Sequence, residues 1–535
     1  MNKIQSFFTN NSRLIISITY LVAFSFILLN DGLYSDDWVH YDQDFATRML
    51  LFKQHGFFAY SPVYLYELLL NSLAGVFVSR FLTFLVLLLS TLILYSVLKT
   101  IKEIEANSRF FLVMFFALFP INIARIYAGH IIWTFSSFFF FVGVWYLSKY
   151  LQKRMFVLRL LSVVCFFVSF STNSLLFFYG LIFLYIVYID KDTFAGSIFL
   201  KIKKMFLNYY DFLLIPIVFW IIKNIWFKPQ GLYAGYNEVS LNKLITHPIA
   251  EPFYRFFNVS FLMPSRLSGT LFLLILGFII GFVFIRLLVK PLRIFPEVKK
   301  DFIFLFLGIV FFFAGAFPYV LVNKLPNTID VIDSSRFQIL LPLGVSFILF
   351  YLFKCLVDLL KLNKIFLILI CLFYVLLFTK DNLYTYYSCQ RDWYKQLSLA
   401  ENFKDSEIIK GNTAFLFFDE TRDLDAKRRY SSYYEWTGLM KFAFGEDTRF
   451  AAPKSNFSGG PGGYSEFGVK NKQYNISHFK PKQNFDYEVT IKYGSYKISF
   501  LSMLKLNYLR IFDNAKFFSN VKNIVSLSYK KVGNN

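Results

Sequence analysis

Charge is scarce in this sequence. Asp, Glu, Lys and Arg together make up only 17% of its 535 residues, against about a quarter in ordinary soluble domains. A soluble chain of this size is excluded by that shortfall, because its surface would need more ionic cover. Cysteine is scarcer. Cys165, Cys355 and Cys371 lie in or beside apolar runs and only Cys389 lies in a polar stretch. No disulfide framework and no cysteine-based zinc site fits that distribution. His40, His55, His130 and His247 show no ligand spacing, and His40-Tyr-Asp42 is a weak one at best. No internal repeat is visible. The apolar run 14–29 is followed by Asn30 and Asp31 without a small-residue cleavage site, so it reads as an uncleaved first helix.

What the sequence has is apolar surface. Hydrophobic residues reach 56%, and 72 residues are Phe. Interior volume grows too slowly with length to hide so much in a water-soluble fold, whereas a bilayer accepts it in runs of about 20 residues. Spans are expected near 14–30, 81–98, 110–124, 131–148, 157–172, 174–190, 209–227, 268–286, 302–321, 337–353 and 363–379. The expected fold is therefore a polytopic α-helical membrane protein with about eleven transmembrane helices, residues 1–380, followed by an extracytoplasmic α+β domain, residues 381–535.

The formal net charge of +22 invites a nucleic-acid reading, but the basic residues sit in short loops between apolar runs. With the N-terminus inside, the cytoplasmic loops hold 19 Lys and Arg and the opposite loops hold 7. That is the positive-inside pattern, and it excludes nucleic acid as the partner. It also decides an ambiguous segment. Making 62–79 a span would invert every later loop, so this stretch is expected to lie along the membrane or re-enter it. Phe45, Met49 and Phe52 recur at helical spacing opposite Asp44, Arg48 and Lys53, which predicts an interfacial helix before it. The loop 228–267 is broken by Pro229, Pro248, Pro252 and Pro264. Beyond 381 the composition turns polar and aromatic. Alternation at Tyr487, Val489, Ile491 and Tyr493 predicts a strand, and 458–464 reads as a Gly-rich flexible loop. Asn258, Asn456 and Asn475 head Asn-x-Ser sequons.

The sharpest chemical feature is Tyr34-Ser-Asp-Asp-Trp38, at the outer end of the first helix. Two adjacent carboxylates repel and raise one pKa. Such a group can serve as general base or bind a divalent cation; it can equally be a solvated pair that stops the helix. In the tail, Asp419–Asp425 and Lys427–Arg429 precede Tyr430, Tyr433, Tyr434 and Trp436, aromatics that could stack on a sugar or simply pack a core.

An acidic pair directly after the first span resembles the GT-C glycosyltransferases, membrane enzymes that use polyprenyl-phosphate sugars. Ser61-Pro-Val-Tyr-Leu-Tyr66 followed by Arg80 is similar to that fold's second juxtamembrane helix. Phe119-Pro120 with Ala124-Arg-Ile-Tyr127 resembles the end of the third span in family 39-like members. Ser335-Arg-Phe-Gln-Ile-Leu-Leu-Pro342 resembles the start of a late helix. The motifs fall in order over residues 14–355. The resemblance implies GT-C-like juxtamembrane helices in the first external loop and an inverting transfer to a surface glycan or lipid-linked acceptor. Asp36 would be the base, with Asp37 orienting it or holding a metal. Arg336, Arg80 and then Arg125 are candidates for the donor phosphate, Arg being suited to bidentate binding, although an Arg at a helix end can equally anchor to lipid headgroups; Lys223, a charge within the outer turns of a span, is a further candidate or a snorkelling side chain. Trp38, Tyr433 and Trp436 would meet the acceptor. No metal ligands are assigned; Mg or Mn is an optional cofactor. The loop after the third span has Asn122, Arg125 and His130 where many members carry a second acid. A surface-polysaccharide polymerase, a transporter or flippase, and a non-catalytic scaffold are the rival readings.

Overall fold

The long apolar runs fold as helices because only a helix satisfies every backbone amide within one segment. The computed structural model describes residues 2–191, 194, 197–235, 238, 239, 257, 296–322, 324, 333–454 and 485–532. Six helices in it are long and apolar enough to cross a membrane: Asn11–Leu28, Leu73–Leu98, Ala128–Lys153, Lys299–Leu321, Leu341–Leu359 and Lys364–Asp405. A bent pair, Phe199–Asn208 and Tyr210–Trp226 at 70°, makes a seventh if taken as one span. The chain is thus mostly helical and membrane-embedded.

Three further expected spans are shorter. Ala106–Leu118 has 13 residues, Phe156–Ser169 has 14, and 174–190 breaks into Ser174–Phe178 and Leu181–Ile189. At 1.5 Å per residue, 13 residues reach only about 20 Å of a core about 30 Å thick. The span expected at 268–286 lies outside the described residues. So do most of the loop 228–267, the 458–464 stretch and the sequons at Asn258, Asn456 and Asn475.

The segment 62–79 is not one helix. Pro62 starts a nine-residue helix, Ser61–Leu69, too short to cross. Ser72 then caps the next helix by accepting from the Gly75 amide at 3.1 Å. That helix begins at Leu73, so Arg80 sits two turns inside it rather than at its start. The helix expected before it runs Phe45–His55, opened by the Asp44 carboxylate accepting from Thr47 at 2.8 Å and closed by Gly56 at φ 69°. Arg48, expected on its polar face, is fully buried against Glu67 at 2.5 Å.

The last apolar helix runs 42 residues, Lys364–Asp405. That is about 63 Å, twice a hydrocarbon core, so its second half continues past the bundle. The boundary expected at 380 falls inside it. Around this half, Ala414–Asp419 (β1), Phe450–Pro453 (β2), Tyr487–Tyr493 (β3) and Val525–Lys531 (β4) form one sheet in the order β2-β1-β3-β4. β1 is parallel to β2 and β3; β3 and β4 are antiparallel. Helix Tyr433–Phe444 connects β1 to β2. One apolar core runs from Ile16 and Phe24 through Trp393 to Phe415 and Val489, so bundle and tail share an interior.

Candidate functional site

The first helix ends at Leu28, and Asn30 shapes the turn beyond it. Its side chain accepts from the Gly32 amide at 2.8 Å and donates to the Tyr34 hydroxyl at 2.8 Å. Ser35 then adopts φ 48°, a left-handed conformation costly for a residue with a Cβ. Its amide donates to Glu435 Oε2 at 3.0 Å. A four-residue helix, Asp37–His40, comes next. Successive residues on a helix point about 100° apart, and here that splits the acidic pair. The Asp36 side chain is 57% exposed and Asp37 only 1%.

Asp37 is an anchor. It accepts from Gly129 N at 3.0 Å, Ala128 N at 3.1 Å and Tyr34 N at 3.4 Å, with the Arg80 guanidinium at 3.8 Å. Burial pushes its carboxyl up to about 6 against the opposing pull of Arg80 and those amides. Arg80 itself is buried and donates to the carbonyls of Ile126 at 2.7 Å, Asn30 at 3.0 Å and Gly32. With its guanidinium committed to main chain, Arg80 fastens the turn 126–130 to the residues after the first helix and is not placed for a donor phosphate. Ser79 Oγ donates to Ala128 O at 2.8 Å and the Tyr66 hydroxyl to Gly129 O.

Arg336 comes from far along the chain. It lies on the turn Asp333–Gln338, which is docked on Ile123–Ile126 by the Ala124 amide donating to Ser335 Oγ at 2.7 Å. Its Nη1 stands 3.5 Å from Asp36 Oδ2 across 300 residues of sequence. Two further ionisable groups feel the charge of Arg336. Lys324 is pushed down to about 7 by burial and then by Arg336. His55 is pushed down to about 3 by burial, and the charges of Lys324, Lys223 and Arg336 all reach it. Lys324 is not among the candidates that the sequence singles out; a lone Lys just past an apolar run was the available signal. The four motif regions, far apart in sequence, thus meet around Asp36 and Asp37.

The remaining candidates are elsewhere or occupied. Arg125 is 7% exposed, donates to Asn122 O at 2.8 Å and lies 4.7 Å over the Phe24 ring, so it faces the first helix and not Asp36. Lys223 donates to Asn173 Oδ1 at 2.5 Å. Trp38 is 3% exposed, donates to Gln396 Oε1 at 3.2 Å and packs on Trp393. Trp436 is 5% exposed and stacks on Phe417 at 4.8 Å; Tyr433 is 8% exposed beside Phe450. None of these three offers a free ring face to a sugar. They pack the tail against the first loop, because large aromatics filling a shared core exclude more water there than they would in a cleft. Among the described residues no group of three or more His, Cys, Asp or Glu could hold a metal. Asp37 is already satisfied by amides, which leaves Asp36 as a single exposed carboxylate. Among the described residues, that donor set does not fit a resident divalent cation.

The tail reaches the site through buried ion pairs. Arg429 meets Asp392 at 2.7 Å and also Glu435, the residue that holds the Ser35 amide. Lys395 is clasped by Asp419 at 2.5 Å and Asp425 at 2.7 Å. Asp425 and Arg429 of the tail's charged cluster are therefore internal, while Glu420, Asp423 and Arg428 stay exposed, and Arg429 fixes the backbone next to Asp36 through Glu435. No protein-family model matches this chain, and no curated protein matches it.

Proposed function

We propose that this chain is a GT-C-type membrane glycosyltransferase, moving one sugar from a polyprenyl-phosphate donor to a surface glycan or lipid-linked acceptor. The observation that carries the reading is the exposed Asp36 carboxylate facing the Arg336 guanidinium at 3.5 Å. A base beside a cationic face is what an inverting transfer needs. Asp36 takes the proton from the acceptor hydroxyl. The acceptor oxygen bonds the anomeric carbon as the carbon–oxygen bond to phosphate breaks. Arg336, able to grip phosphate oxygens by two parallel hydrogen bonds, receives the departing polyprenyl phosphate. Asp37 and Arg80 hold the loop and touch no reactant.

In this reading the chain passes the cytoplasmic membrane about eleven times, the shorter helices being completed by irregular backbone buried in the bundle. The N-terminus is cytoplasmic, and the acidic loop and C-terminal region lie on the outer face. The test is incubation of the purified protein with polyprenyl-phosphate sugars, with released polyprenyl phosphate as the readout. Wild type releases it and Asp36→Asn, folded by the same thermal criterion, does not. Full turnover by that variant removes Asp36 from the mechanism. No release from any such donor removes the reading.

A further inference from the structure

Helix Phe500–Phe512, between β3 and β4, leaves an apolar stripe uncovered. Leu501 is 76% exposed, Leu504 43%, Tyr508 61%, Ile511 67% and Phe512 69%. At spacings of three and four these side chains share one helix face. Met503, Leu506 and Leu509 on the other face are buried in the common core. A face so apolar does not stand in water without an occupant.

Its position identifies the occupant. The Phe500 ring meets Phe26 at 6.0 Å and Tyr387 at 5.7 Å, and Phe26 belongs to the last turn of the first membrane helix. Further along, Arg510 pairs with Asp31, and Asn507 accepts from the Tyr394 hydroxyl. The helix thus follows the long helix outward from 387 to 394, its Phe500 end nearest the bundle. Beside that end, Val22 and Leu29 of the first helix region are 47% and 38% exposed, and Leu376 and Tyr384 of the long helix are 69% and 55% exposed. The stripe continues the apolar surface that these spans present to lipid. Lys505 is exposed at its margin, where its long side chain would reach toward phosphate headgroups.

We propose that Phe500–Phe512 is an interfacial helix embedded in the bilayer beside the first span, docking the C-terminal region onto the membrane. The Leu501 end lies deepest and the Phe512 end nearest water. The inference does not depend on the glycosyltransferase reading. The test uses the full chain in nanodiscs of phosphatidylethanolamine and phosphatidylglycerol, nitroxide-labelled singly at Leu501→Cys, Ile511→Cys or Phe512→Cys. The four native cysteines are buried, and protein without an added cysteine supplies the blank. Leu376→Cys is the lipid reference and Tyr430→Cys, at a position 69% exposed in the tail, the water reference. Labels on the stripe should favour oxygen over a water-soluble nickel reagent several-fold more than Tyr430→Cys does, with Leu501→Cys closest to Leu376→Cys. A stripe that reads like Tyr430→Cys overturns the proposal. So does a stripe immobilised and closed to both reagents, since protein would then be the cover.

Discussion

Replacing Arg429 by Met tests the junction between tail and loop. Arg429 is 8% exposed, and its partners Asp392 and Glu435 are 1% and 4% exposed. At 2.7 Å, one such pair is worth about 6 kcal/mol at an effective dielectric of about 20, opposed by the cost of having desolvated the guanidinium. Met fills the volume but leaves two buried carboxylates facing each other. Breaking a buried pair in this way costs about 3–5 kcal/mol. For the part of the chain that unfolds with the tail, this is a drop of roughly 10 °C in apparent Tm. The pH dependence carries the diagnosis. Burial already holds the Glu435 carboxyl above its ordinary value, and without Arg429 that rise must grow. The folded variant then binds protons that the unfolded chain releases, so its stability falls as pH rises and its deficit is smallest in acid. The assay is thermal unfolding of wild type and Arg429→Met in nanodiscs from pH 5 to 8, compared at one scan rate because the melt measures a rate as much as an equilibrium. A variant that melts with wild type, or whose deficit does not shrink toward pH 5, refutes the argument that these ion pairs hold the Ser35 backbone.

Three other outcomes are expected. Arg336→Ala should raise the donor KM and lower kcat, with Arg336→Lys intermediate because Lys keeps the charge but loses the paired geometry; a variant with unchanged kinetics on the polyprenyl-phosphate donor contradicts its role. Burial holds the Asp425 carboxyl above its ordinary value, despite Lys395, so the folded protein retains its proton to higher pH than the unfolded chain does. Stability should therefore fall as pH rises above the ordinary carboxylate range, and Asp425→Asn should flatten that part of the Tm profile. Gly438→Ala would place a Cβ 2.9 Å from Trp38 Cε3, an overpacking of about 1–3 kcal/mol, and adding Trp38→Phe should recover part of the lost Tm.

The apolar runs told where helices form because periodicity and length are local properties. Burial partners are not. Arg80 and Arg125 looked like phosphate ligands, yet their acceptors are backbone carbonyls of Ile126, Asn30, Gly32 and Asn122, and a carbonyl acceptor leaves no mark on the sequence. Trp38 and Trp436 looked like sugar platforms because an aromatic cluster has one composition whether it lines a cleft or fills a core. Lys380 and Asp381 looked like the end of a span, and as a hydropathy boundary they are; the helix simply continues through them, since its outer half is buried by the tail. Asp36 was legible from its place after the first helix. Its separation from Asp37 became visible only once the turn 126–130 supplied amides to one carboxylate and not the other.

Backbone strain explains why the tail belongs to this site. Among the described residues, eight non-glycine positions have positive φ, and four of them, Ser35, Asp42, Ala59 and Tyr60, lie in the first loop. Two more, Lys427 and Arg428, lie in the tail segment that presents Arg429. A left-handed residue costs about 1–2 kcal/mol, while a hydrogen bond to a charged group returns about 1.5–3 kcal/mol. Ser35 has such a bond to Glu435, and Arg429 holds Glu435 in turn. The conformation beside Asp36 is therefore stable only while residues 429–435 are in place. Asp37 fixes the same short helix from the opposite side, through the amides of Ala128 and Gly129. An exposed carboxylate held from two directions has little freedom left to lose, and under the proposed function that preorganisation is what a general base beside Arg336 requires.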